Sequence, residues 1–557
     1  MKNTIDHPTD YLTHKALFRR AFLVLTVVFG LAGCSESDTQ RAVESAAEAS
    51  PASGQADALI ATTQAGKVRG FMEDGVLVFK GIRYGADTAT TRFMAPKPPA
   101  PWSDVKDAVA YGNSTRQASP SGRVSLFASW ATDPTPELSE DCLFLNVWTP
   151  ALRDGKKRPV MVWFHGGGFT SGSGSSNAYD GVRLVNRGDV VVVSVNHRLN
   201  IFAHLYLGEY GEQYADSGTS GILDLVHSLK WVRDNIAEFG GDPGNVLIFG
   251  ESGGGMKVTT LMAMDDAKGL FHRAVVQSGP YLTLTKAEAA AAGAEKIVAE
   301  LGLSAESIDQ IRSLPAEQIE KAAQAVAQAG QRPTWNGPIL DGKNLKRDPF
   351  TPDAPPQSET VPMLIGTTRT ENSLFIGLGR PETFDLTWEQ LPAAVTQLAD
   401  GRDVDKIIAE YRRLRPEYGP AELLYTASTD AGFLNRSIEQ ADKKTAQGGA
   451  PVYFYQLYWD TPVDGGKWLS PHASEIGMVF DNVAKSESMS GIGEEQQKIA
   501  DMMSEAWLAF ARSGNPNHAG LPAWPEYGEE RAVMLFDLTP QVVNDPHGPQ
   551  RKIFLDQ

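Results

Sequence analysis

The chain has 557 residues, 42% hydrophobic and 21% charged, which are the proportions of a packed globular protein rather than a disordered one. That length holds one large α/β domain with insertions, or roughly two to three ordinary domains. A formal net charge of −17 argues against nucleic acid or an anionic membrane surface as the main partner, because phosphate binding needs clustered cations.

Cysteine and histidine usage narrows the chemistry further. Only Cys34 and Cys142 occur, too few for a disulfide framework or a Cys-rich zinc or iron–sulfur site. The histidines show no H-E-x-x-H or similar spacing, so neither a metal nor another cofactor is expected.

At the N-terminus, Lys15, Arg19 and Arg20 precede an apolar run from Ala21 to Ala32 that ends in Leu31-Ala32-Gly33-Cys34. A basic flank, a short apolar stretch and small residues before a break form the pattern of a secretory signal. The run is too short to cross ~30 Å of hydrocarbon comfortably as a permanent helix. Leu-Ala-Gly-Cys also resembles the lipobox of bacterial lipoproteins, which implies residues 1–33 as a cleaved signal and Cys34 as an acylated mature N-terminus. The alternative is an ordinary signal with an incidental cysteine. Ser35 stands where an inner-membrane retention signal usually shows Asp, so the expected product crosses the inner membrane to an outer-membrane or periplasm-facing site. Residues 34–58, rich in Ser, Ala, Glu and Gln, cannot bury a core and read as a flexible tether. With Cys34 lipidated, Cys142 has no intramolecular partner and reads as a packed free thiol.

From residue 59 to 557 turn signals and apolar runs alternate without another long linker or an internal repeat. Arg158–Phe164, Asp189–Val195 and Asn245–Phe249 are near-continuous apolar runs, as expected of strands buried on both faces of a largely parallel sheet. Between the last two, Ile222–Phe239 is helical in pattern, with Leu225, Leu229, Val232 and Ile236 on one face. This alternation predicts an α/β fold. Further strands are predicted at Ala274–Gln277, Pro362–Ile365 and Val452–Tyr458, and the segments 283–329 and 388–444 read as helices set on or beside the sheet.

Gly250-Glu251-Ser252-Gly253-Gly254 matches G-x-S-x-G directly after a predicted strand and before a helical stretch. So tight a strand-to-helix turn strains its central residue, needs small neighbours, and points a helix N-terminus at a nascent oxyanion. Ser252 is the candidate nucleophile. His165-Gly166-Gly167-Gly168-Phe169 follows another strand and lacks the Gly-Lys-Ser/Thr ending of a phosphate loop. Gly167 and Gly168, with Gly253, are therefore the candidate oxyanion donors. His165, placed before the glycines, is expected to be structural.

On this fold an acid and then a histidine follow the serine. Downstream lie only His272, His472, His518 and His547. His272 comes too soon, His518 sits in a turn and His547 in a Pro/Gly-flanked tail, whereas His472 follows a strand on a loop. Glu371, on the loop after the strand Pro362–Ile365, is the candidate acid.

These residues resemble the type-B carboxylesterases, the family of cholinesterases and p-nitrobenzyl esterases. Phe79-Lys80-Gly81-Ile82-Arg83-Tyr84, Ser139-Glu140-Asp141-Cys142-Leu143, Asn196-His197-Arg198-Leu199 and Phe239-Gly240-Gly241-Asp242-Pro243 lead into the elbow in that family's order. Gly366-Thr367-Thr368-Arg369-Thr370-Glu371 and His472-Ala473-Ser474-Glu475 correspond to its acid and histidine segments, and Trp507 through Trp524-Pro525 to its C-terminal signature. The resemblance implies an α/β-hydrolase fold with helical cap insertions, a Ser-His-Glu triad and a small-molecule ester substrate. This chain departs from the family in Asn372, where Gly is usual, in Thr370 for Asp, and in Gly253 for Ala; Cys142 lacks its customary disulfide partner. Two other functions remain open: an interfacial lipase, and a cholinesterase-like binding protein without catalysis.

Overall fold

The apolar runs are the middle of an 11-stranded sheet in a computed structural model that describes residues 58–118, 125–330 and 333–555. The expected signal, Cys34 and the tether up to residue 57 lie outside the described residues. In chain order the strands are β1 (Phe71–Glu73), β2 (Val76–Arg83), β3 (Phe144–Thr149), β4 (Arg158–Phe164), β5 (Val191–Val195) and β6 (Gly241–Glu251). They continue as β7 (Arg273–Gln277), β8 (Met363–Thr368), β9 (Val452–Leu457), β10 (Ala532–Phe536) and β11 (Gln541–Asn544). Their spatial order is β11-β10-β9-β8-β7-β6-β4-β5-β3-β2-β1. Strands β4 to β10 pair in parallel, and antiparallel strands close both edges.

The period-two geometry of a strand sorts these runs onto two faces. Val160, Val162 and Phe164 join one core, with Val193, Ile248 and Val276; Met161 and Trp163 join the other, with Val192, Leu247 and Leu364. Both faces are covered, so the strands read as unbroken apolar runs rather than alternating ones. Helices α1 (Ser220–Asn235) and α2 (Gly253–Met262) cover the first face through Leu225, Leu229, Val232, Val258 and Leu261. The predicted helix ran on to Phe239; the structure ends α1 at Asn235 and finishes with a 3₁₀ turn, Ile236–Phe239, which still buries Ile236. A short helix α3 (Asn372–Gly379) and a longer α4 (Asn435–Gln447) follow β8. The 20-residue α5 (Glu494–Ser513) covers the second face with Ile499, Trp507 and Phe510.

The two edge strands β1 and β11, and β2, β3 and β10 inside them, were not among the predicted ones. In β2 the apolar pattern breaks at Lys80-Gly81, where the pairing with β3 shifts register between Phe79 and Ile82. The helical segments carry small cores of their own. Ala294, Ile297, Ile319 and Val326 pack with Phe93 and Phe202, whereas Leu391, Val395, Tyr411, Leu424 and Tyr425 form a separate cluster.

Candidate active site

Strand β6 ends at Glu251, and Ser252 turns the chain into α2 with φ 56° and ψ −122°. That region is costly for any residue bearing a Cβ, and is held only where the surroundings over-determine it. Here the Ser252 N–H donates to Gln277 O at 2.8 Å, tying the elbow to β7. A Cβ on Gly254 would stand 2.0 Å from Phe164 O, and one on Gly253 2.1 Å from Gly168 O. The two glycines let α2 sit directly against the end of β4 and the loop beyond it. This contact is the physical reason for glycine at 253, where the resemblance sets alanine.

In that loop Gly167 and Gly168 adopt φ 85° and 62°. Gly167 O accepts from the N–H groups of Thr170 (3.3 Å) and Ser171 (3.1 Å), closing a turn. Among the described residues, the N–H groups of Gly167 and Gly168 donate to no protein acceptor. Gly253 opens α2, where first-turn N–H groups lack intrahelical partners.

Glu371 and His472, 101 positions apart, are brought together: His472 Nδ1–H donates to Glu371 Oε2 at 2.5 Å. Glu371 Oε1 accepts from the Ser278 hydroxyl (2.6 Å) and the Thr368 N–H (2.8 Å), so the fully buried carboxylate is fixed on both oxygens. On the other side of the ring, His472 Nε2 lies 3.0 Å from Glu251 Oε1 without the alignment of a hydrogen bond. Glu251 is the residue before Ser252, and among the described residues His472 Nε2 makes no hydrogen bond, to the Ser252 hydroxyl or to any other group. Phe375, on α3, and Phe433 lie with ring centroids 4.8 and 5.2 Å from the imidazole.

Three buried carboxyls, Glu251, Glu371 and Glu475, surround this histidine. Burial opposes the imidazolium, but the charges of Glu251 and Glu371 outweigh it and hold His472 above its ordinary value. Burial, with Glu475 and Glu371 close by, pushes the Glu251 carboxyl well above the usual carboxylate range, and Glu475 rises for the same reasons. Side-chain donors reach Glu475 only at long range, Tyr455 OH at 3.3 Å and Ser278 Oγ at 3.4 Å among the described residues.

The other histidines have different work. His165 bonds through Nδ1 to Gly166 O, stacks on His197 at 5.0 Å, and is lowered to about 3 by burial, with Lys257 adding to the effect. His272 Nδ1 accepts from Val246 N–H, and His518 bonds to Met502 O. His547 has a carboxylate of its own, Asp430 at 3.0 Å, and the Tyr458 hydroxyl at 2.6 Å, so it is less isolated than its place in the tail suggests. Cys142 is buried and free, its thiol pushed up to about 12 by burial, which leaves it unreactive. Sequence reasoning had no signal for Ser278, Phe433 or Lys257, which reach the site only through tertiary contacts.

The carboxylesterase family model matches residues 57–553. The chain is 38% identical over 500 residues to a para-nitrobenzyl esterase of Bacillus subtilis, covering 88% of this chain and 98% of that one. Among solved structures it is similar to a carboxylesterase of Geobacillus stearothermophilus, with a TM-score of 0.75 and 37% identity over 89% of this chain and 100% of that one. It is also similar to an esterase of Clostridium hathewayi, with a TM-score of 0.77 and 34% identity over 89% and 97% of the two chains. A parallel sheet closed by antiparallel edges and matched over nearly its whole length leaves one assignment: the chain belongs to the carboxylesterase family of the α/β-hydrolase fold and is a carboxylic ester hydrolase.

Proposed function

We propose that ester hydrolysis runs through an acyl-enzyme on Ser252, with His472 as base and acid and Glu371 as its orienting carboxylate. The observation that carries this reading is the 2.5 Å Glu371–His472 hydrogen bond, with the ring's other nitrogen unbonded and 3.0 Å from Glu251, the residue before Ser252. His472 takes the Ser252 proton as the serine oxygen adds to the ester carbonyl. The N–H groups of Gly167, Gly168 and Gly253 hold the oxyanion. The carbonyl re-forms as the alcohol leaves with the proton from His472, and water then repeats the two steps on the acyl group. Glu371 favours the tautomer with Nδ1 protonated and stabilises the imidazolium. No cofactor enters this chemistry.

A p-nitrophenyl ester is expected to give a burst of p-nitrophenol stoichiometric with enzyme, and the mass of one acyl group on the peptide containing Ser252. A chain that merely binds esters would show neither. An interfacial lipase would show its rate jump only once substrate exceeds its solubility.

The N-terminal sequence supports a lipid-anchored enzyme, exported across the inner membrane and attached through Cys34. One or two acyl chains contribute ~0.8 kcal/mol per buried CH₂, enough in combination to hold a protein on a bilayer without a spanning helix. Mass spectrometry of the mature protein should find acyl groups on Cys34, and Cys34→Ser should prevent attachment while leaving turnover unchanged. A mature N-terminus at any other residue would replace the anchor with plain secretion.

A further inference from the structure

Lys257 is a fully buried lysine five positions after the nucleophile, on the first turns of α2. An ammonium in the interior is costly unless its donors are satisfied. Its Nζ donates to His165 O at 2.8 Å and Gly168 O at 2.9 Å, and lies 5.6 Å from the centroid of the Phe169 ring. Those two carbonyls belong to the peptide planes on either side of the Gly167 and Gly168 N–H groups. The inner planes are tied through Gly166 O to His165 Nδ1 and through Gly167 O to the N–H groups of Thr170 and Ser171, and with no Cβ to restrain φ at 85° and 62° the outer planes take their hold from Lys257. A second observation fits the same arrangement. The Gly168 carbonyl that Lys257 grips fills the space where a Cβ on residue 253 would stand, 2.1 Å away.

We propose that Lys257 is a positioning residue of the oxyanion loop: its ammonium clamps the carbonyls of His165 and Gly168 and so aims the N–H groups of Gly167 and Gly168 at the developing oxyanion. This rests on the serine-esterase reading of the site. The charged and titratable groups facing the ammonium are Glu251 at the end of β6, His165 after β4, and His197 and His204 beyond β5. Burial lowers His165 and His204 to about 3 and His197 well below its ordinary value, so these three are neutral and, among the described residues, Glu251 is the one potential counter-charge. Burial also lowers Lys257 to about 7, with Glu251 opposing that shift. The positive charge beneath the loop is therefore present below that pKa and lost as pH rises through it. The contribution of the charge to oxyanion stabilisation falls over the same interval.

The test compares the full-length wild type with Lys257→Met and Lys257→Gln. Each is counted by phosphonylation of Ser252, so that rates refer to folded sites. Losing one oxyanion donor outright costs ~10²–10³ in kcat; misaiming donors that remain should cost Lys257→Met on the order of 10- to 100-fold, with KM nearly unchanged. Inhibition by a trifluoromethyl ketone, which needs the oxyanion hole, should weaken in parallel. The falling step of the kcat–pH profile due to Lys257 should disappear. Lys257→Gln, which keeps neutral donors and most of the volume, should recover part of kcat but not the pH step; it also serves if the methionine variant does not fold. A variant with wild-type kcat, ketone affinity and pH profile per phosphonylated site overturns the proposal. A fall in kcat with ketone affinity and pH profile unmoved does so as well. If the wild type itself is not phosphonylated, the fault lies in the serine reading and not in Lys257.

Discussion

Ser252→Ala is expected to abolish ester hydrolysis, lowering kcat by on the order of 10⁶-fold, the size of loss seen when a nucleophile of this kind is removed. The fold should survive. The Ser252 N–H bond to Gln277 O is made by the backbone, and the φ of 56° does not depend on the hydroxyl. Alanine also keeps the N–H of Gly253 in place. Substrate binding should therefore persist while turnover and the p-nitrophenol burst vanish together. Turnover above a trace in a variant with an unchanged melting curve would mean that the acyl group is carried elsewhere or not at all.

The second large effect distinguishes the acids. Glu371→Gln should lower kcat by ~10⁴, because an amide can donate to Nδ1 and so stabilise the imidazole tautomer that cannot take the serine proton. Glu475→Gln should cost far less. Glu475 is buried beside the same histidine, but its side-chain partners are Ser278 and Tyr455 at long range and no hydrogen bond joins it to the ring among the described residues. Turnover measured on the two variants at matched folded concentration decides between them, and equal losses would defeat the assignment of Glu371.

The central strands were legible because burial on both faces leaves them little room for polar residues: Arg158–Phe164 is predicted and found with the same limits. The neighbouring run from Asp189 was predicted two residues too early. Asp189 turns left-handed to close the helix Val182–Gly188, and the strand begins at Val191. Strand β2 escaped because Lys80-Gly81 and the register shift against β3 leave no clean period. Ser252 was legible locally, from a strand, five residues and a helix. Pairing Glu371 with His472 needed the chain order of the fold and the resemblance, since nothing in either local sequence shows that they meet. Glu251 stood in plain view in the elbow, but its place against His472 Nε2 depends on how two loops approach. Lys257 gives no signal at all in sequence. A lysine on a helix normally reads as solvated, and only the fold puts this one under a loop of glycines.

The aromatic rings flanking His472 come from different parts of the chain. Phe375 follows Glu371 on α3, whereas Phe433 belongs to the π turn Asp430–Leu434, continuous with the helix Pro420–Thr429. That helix packs Leu424 and Tyr425 into the small core of the 391–425 helices, apart from the two cores of the sheet. The π turn that carries Phe433 therefore has two footings, since its Leu434 packs into the first core of the sheet. A substitution in the helical block can therefore be felt at the imidazole through the Phe433 ring, far along the chain from the elbow itself.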